Sequence, residues 1–166
     1  MAISDLLMPL LDTLFVLARV KLKINDPTTF TPSFEFLSQA KSILDSITFS
    51  PELVPSLPDF DIANYTRCVS GAFYNIAGTL YQATRCGNAV PFLVESCTLG
   101  EKALGLRGST RQVREGETES RDREWKQLEE QLYRRWELLG VCYSKNGDKR
   151  VCIPYFFKSH HHADVL

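Results

Sequence analysis

The chain has almost no net charge, no long uncharged apolar run, no Cys-x-x-Cys pair and no histidine before position 160. Nineteen basic side chains stand against 20 acidic ones, a net charge of -1. That balance gives no general pull toward nucleic acid or an anionic membrane. The most apolar stretch, Leu6 to Val20, is broken by Asp12 and Arg19, well short of the ~20 uncharged residues that cross a bilayer. No basic segment precedes it, so it is a poor secretory signal, and a soluble intracellular protein is the expectation. The five cysteines, Cys68, Cys86, Cys97, Cys142 and Cys152, are odd in number and unpaired in spacing. They argue against a disulfide framework or a zinc ribbon, and for reduced thiols packed as small apolar groups. What is present is ordinary: 166 residues, 44% hydrophobic and 23% charged, enough to bury roughly 70% of the extended-chain surface.

The hydrophobic pattern is helical throughout, with no sustained strand alternation, so the predicted fold class is all-α. Residues 1–104 read as four helices. In the first, Leu7, Leu10, Leu11, Leu14, Phe15 and Ala18 recur at three- and four-residue steps. Pro9 is expected in its first turn, placing the regular part from about Met8. The second is expected from a Thr31 cap and Pro32 to about Ser46. Pro51, Pro55 and Pro58 then exclude a helix and imply an extended surface connection. A third helix runs from a cap at Asp59 or Asp61 to about Arg85, followed by a corner at Cys86-Gly87-Asn88. The fourth takes Asn88 as cap and Pro91 in its first turn, and carries Ala89, Phe92, Leu93, Cys97 and Leu104.

Between Gly105 and Glu124 ten of twenty residues are charged and only Leu106 and Val113 are apolar, so a charged flexible linker is expected over 105–124. The fifth helix, over 125–150, carries Trp125, Leu128, Leu132, Trp136, Leu139 and Tyr143 on one stripe and charged residues opposite. Residues 151–166 are expected to be an irregular tail.

Trp136, Leu139, Gly140 and Tyr143 match the W-x2-L-G-x2-Y opening of a tetratricopeptide repeat. In that motif the glycine admits the second helix of a hairpin and the aromatics fill the groove between hairpins. Tyr74, Ala77, Gly78 and Tyr81 repeat the spacing more weakly, with Ala89 and Leu93 near the small and large positions of a second helix. The copies begin 62 residues apart, not at the repeat period of about 34, and the linker accounts for most of the excess. Helical-bundle packing gives similar stripes, but tetratricopeptide-like hairpins forming part of an α-solenoid are the expected architecture. Such hairpins need neighbours on both faces, which suggests a piece of a longer solenoid.

Several longer segments carry a more specific likeness: LFVLAR from Leu14, DPTTFTPSFEFL, NYTRCVSGAFYNIAGTLYQATRCGNAVPFLVESCTLGEKAL, and WKQLEEQLYRRWELLGVCYSKNGDKR. Over about Leu14 to Arg150 the chain resembles the helical-repeat region of fungal separases, caspase-like cysteine endopeptidases of chromosome segregation. The resemblance implies a scaffold ahead of a protease domain, with a securin-like inhibitor and the remainder of the separase chain as partners. It further implies a part in presenting cohesin for cleavage, and a location in nucleus and cytoplasm. No cofactor, small-molecule substrate, nucleic acid or membrane partner is expected.

Protease chemistry in that family needs a paired His and Cys. The only histidines are His160, His161 and His162, and none of the cysteine contexts RCV, RCG, SCT, VCY and VCI resembles the catalytic one. No catalytic residue is therefore assigned, and the chain alone is expected to be inactive. The histidine run reads as a solvated tail before a weak metal site. Lys126, Arg134 and Arg135 alternate with Glu124, Glu129, Glu130 and Glu137 and read as a solvated face. Ser109, Thr110, Thr118 and Ser120 are possible phosphate acceptors in the linker. After Arg150 the tail, with Pro154 and its aromatic cluster, departs from the repeat pattern; a truncated or misread gene product and a short, loosely docked end are both open. The alternative function is a stand-alone tetratricopeptide adaptor gripping a peptide carboxylate. Its clamp would need Lys and Asn where this chain has Asn75, Thr79, Glu137 and Val141.

Overall fold

The computed structural model describes residues 3–23, 26, 28–49, 59–109 and 118–147. It contains five helices: α1 (Ile3–Lys21), α2 (Phe30–Phe49), α3 (Asp59–Gln82), α4 (Cys86–Ser109) and α5 (Thr118–Lys145). No strand occurs among the described residues, and the all-α expectation is met.

Each helix buries the stripe that its sequence spacing defines. Leu7, Leu11, Leu14 and Ala18 of α1 meet Leu37, Ala40 and Leu44 of α2, and Ser33 Oγ donates to the Ala18 carbonyl at 2.7 Å. Phe34, Phe73 and Phe92 join α2, α3 and α4, with ring centroids 5.1 to 6.2 Å apart. Each such aromatic pair contributes about 0.5–1.5 kcal/mol beyond area burial. This main cluster continues through Phe73, Ile76 and Leu80 of α3, Phe92, Leu93 and Cys97 of α4, and Trp136, Leu139 and Cys142 of α5. A smaller one gathers Ala63, Ala103, Trp125, Leu128 and Leu132 where α3 begins and α4 ends.

Side-chain pairs give the relative directions of the helices. Lys41 meets Glu95 and Asp45 meets Lys102, both at 2.8 Å, so α2 and α4 run the same way. On the other side, Arg67 lies over Trp125, Tyr74 under Arg135 and Tyr81 under Lys145. Residue numbers rise together along both helices, so α3 and α5 are also parallel, while the short α3–α4 connection makes that pair antiparallel. α4 makes extensive contact with both α3 and α5.

Several boundaries differ from expectation. α1 begins at Ile3, not near Met8, and keeps Pro9 inside it; α4 likewise begins at Cys86 and keeps Pro91. Each proline removes one rung of the backbone ladder, yet Leu11 and Leu14 bury as part of the same continuous stripe, as do Phe92 and Leu93. The corner between α3 and α4 lies at Ala83-Thr84-Arg85, not at 86–88. Arg85 N–H donates to the Leu80 carbonyl at 2.9 Å and Thr84 N–H to the Tyr81 carbonyl at 2.9 Å, the paired bonds of a Schellman cap. Thr84 occupies its left-handed position at φ 61°, where glycine is the usual residue.

The expected linker is also shorter than 105–124 at both ends: α4 continues to Ser109 and α5 starts at Thr118. α2 extends past Ser46 to Phe49, α3 ends at Gln82 and α5 at Lys145. The stretch carrying Pro51, Pro55 and Pro58 lies outside the described residues, as do 110–117, Cys152, the histidine run and the tail 151–166.

Candidate functional site

Both copies of the repeat spacing face the seam around α4. Ala77 and Leu139 are fully buried, Trp136 is 5% exposed, and Tyr74, Tyr81 and Tyr143 are half-buried against the main cluster. Trp136 Nε1 donates to Glu101 Oε1 of α4 at 3.1 Å. Gly140 is buried and Gly78 is half-buried. A Cβ at Gly78 would meet nothing within 4 Å, whereas at Gly100 it would lie 2.6 Å from Leu132 Cδ2 and 3.2 Å from Ser70 Oγ. Gly100 is therefore a point of close approach of α4 to both α3 and α5.

At that convergence lies Arg135, only 2% exposed. It corrects the reading of Lys126, Arg134 and Arg135 as one solvated face: Lys126 and Arg134 are exposed, but Arg135 points inward. Its Nη1 donates to Ser70 Oγ at 2.7 Å and to Ser96 Oγ at 2.9 Å, and its Nη2 to Gln131 Oε1 at 3.1 Å. Ser70 Oγ in turn donates to the Ser96 carbonyl at 2.7 Å. The guanidinium carbon sits 4.6 Å from the centroid of the Tyr74 ring, within cation–π range. Nε has no hydrogen-bond partner, and among the described residues no carboxylate forms an ion pair with the group. Burial pulls its pKa below the ordinary arginine value, with smaller opposing effects from Cys97 and Tyr74.

The position was legible in the sequence, though it was missed. Leu128, Leu132, Arg135, Leu139 and Cys142 follow one another at steps of three and four, a stripe that includes Arg135. Ser70 and Ser96 supply acceptors because both lie on buried faces, next to Val69 and Cys97. The assembly ties α3, α4 and α5 together through one buried guanidinium.

Burial raises the pKa of Cys68 above the ordinary thiol value, and it is the main cause that pushes Cys142 up to about 12, opposite to the shift that activates a catalytic cysteine. Among the described residues no cluster of three or more metal-ligating side chains occurs, and no helix is long and apolar enough to cross a membrane. The adaptor clamp positions hold Asn75 and Glu137, both exposed, and Thr79 and Val141, both half-buried. Thr79 Oγ1 donates to the Asn75 carbonyl at 3.1 Å.

No protein-family model matches the chain, and no curated protein or solved structure does.

Proposed function

We propose that the chain is a stretch of separase-type helical scaffold, an α-solenoid segment that works by binding protein in the context of sister-chromatid separation. The observation that carries the binding half of this reading is the outer face of α1. Leu6, Leu10, Val16 and Val20 are 55%, 46%, 49% and 68% exposed there, while Leu7, Leu11, Leu14 and Ala18 are buried on the other side. Four large apolar side chains along one exposed helix face mark a surface suited to another helical element. The parallel relation of α2 to α4 and of α3 to α5 is the relation that successive hairpins of such a stack would have. The separase half rests on the wording of the sequence from Leu14 to Arg150. The partners it implies are a securin-like inhibitor and the remainder of the separase chain, in nucleus and cytoplasm.

The reading is tested by mixing the purified chain with the remainder of a fungal separase, with and without its securin, and measuring association by sedimentation velocity. Association is expected, and Val16→Asp with Val20→Asp should abolish it while helical circular dichroism stays unchanged. No association by the unsubstituted chain with either partner overturns the separase reading. Binding instead to a peptide ending in an acidic carboxylate cluster would favour the stand-alone adaptor.

A further inference from the structure

The α4–α5 seam holds a pair of thiols that neither the repeat spacing nor the buried arginine involves. Cys86 is the first residue of α4, and Cys142 lies in the last turn of α5. Both are free, and they are 8% and 0% exposed within the same apolar cluster. Their helix ends converge: a Cβ on Gly87 would stand 3.0 Å from Asn146 Nδ2, and the Asn146 amide donates to the Cys142 carbonyl at 3.1 Å. Cys86 is also among the groups that raise the Cys142 pKa, after burial, which places the two thiols within reach of each other's charge. A cleft of about 280 Å³ opens on this corner, with Cys86 in its wall beside Arg85, Asn88, Lys145 and Asn146.

We propose that Cys86 and Cys142 are a dithiol that a small disulfide of the glutathione class converts to an intrachain disulfide, fastening the end of α5 to the start of α4. Cys86, which borders the cleft, loses its proton and attacks one sulfur of oxidised glutathione. The glutathione S–S bond breaks, one glutathione leaves as thiolate, and a mixed disulfide forms on Cys86. Cys142 then loses its proton and attacks Cys86 Sγ, expelling the second glutathione as thiolate. The two released protons neutralise the two thiolates. Two protein thiols are thereby oxidised and one external disulfide is reduced to two thiols.

The first step prepares the second. Burial is the main cause that holds the proton on Cys142, and a Cys86 thiolate adds to it; in the mixed disulfide that second charge no longer forms. Arg85 and Lys145 at the cleft favour approach of an anionic tripeptide disulfide.

The test treats the folded full chain with oxidised glutathione, blocks remaining thiols by alkylation, and maps the cysteines by peptide mass spectrometry. A Cys86–Cys142 cross-linked peptide is expected, with Cys68 and Cys97 alkylated, and reduction should restore all thiols. Cys142→Ala should stop at a glutathione adduct on Cys86, and Cys86→Ala should leave Cys142 free. The oxidised chain should also melt at a higher temperature than the reduced one, because the link closes a long loop. Alkylation of both cysteines in the unsubstituted chain after treatment overturns the proposal. A stable adduct on Cys86 there, or pairing with a different cysteine, does so as well.

Discussion

Truncating Ser70 should cost far more when Arg135 is present than when it is absent. Ser70→Ala removes an acceptor 2.7 Å from a buried guanidinium whose Nε already lacks a partner. Losing that acceptor costs about 1–2 kcal/mol, and losing the Ser70 bond to the Ser96 carbonyl about 1 kcal/mol more. In an Arg135→Met background only the second loss remains, so the cycle should show a coupling of about 1–2 kcal/mol. Arg135→Met itself gives up hydrogen bonds to Ser70, Ser96 and Gln131 and the contact with Tyr74. It also recovers the several kcal/mol spent desolvating an unpaired charge, so it should fall within about 1–2 kcal/mol of neutral. Arg135→Ala instead leaves a cavity and should destabilise by about 2–4 kcal/mol. Urea unfolding followed by tryptophan fluorescence reads this unit directly, because Trp125 and Trp136, the only tryptophans, both lie on α5. Equal costs of Ser70→Ala in the two backgrounds would refute the reasoning, as would Arg135→Met proving as damaging as Arg135→Ala.

The same assay separates two glycines. Gly78→Ala should stabilise by up to about 1 kcal/mol from helix propensity alone, since its Cβ meets open space, whereas Gly100→Ala should destabilise by about 1 kcal/mol because Leu132 must move within a packed core. Thr84→Gly should stabilise by about 0.5–1 kcal/mol by relieving a β-branched residue at φ 61°, with Thr84→Val giving no gain. Cys142 has its folded-state pKa raised to about 12, above a free thiol near ~8.5. Its contribution is therefore complete below the unfolded value and is lost as pH rises toward the folded one. Urea midpoints of the reduced chain should fall over that window, and fall less steeply in Cys142→Ala.

The helices were legible because their apolar residues recur at three- and four-residue steps, and burial follows those steps from Leu7 to Cys142. Their ends were harder to read. Pro9 and Pro91 point locally to helix starts, but losing one backbone bond is a smaller term than continuing a stripe that buries Leu11 and Leu14, or Phe92 and Leu93. Gly87 looked like the corner residue because glycine favours turns. Its lack of a side chain instead admits Asn146, a contact between residues far apart in sequence, and the left-handed position went to Thr84. Arg135 was misread by residue type: its charge suggested solvent, while its register on the Leu128–Leu132–Leu139 stripe pointed inward. The pairing of Cys86 with Cys142 had no sequence signal, because it depends on how α5 docks on α4.

Native-state hydrogen exchange on the isolated chain tests the stacked arrangement most directly. Amides of α3 and α4, which pack on neighbours to both sides, should be the most protected, and those of α1, with its exposed Leu6, Leu10, Val16 and Val20, should open at distinctly lower free energy. A single opening free energy shared by α1 through α5 would describe a closed cooperative globule and contradict the account.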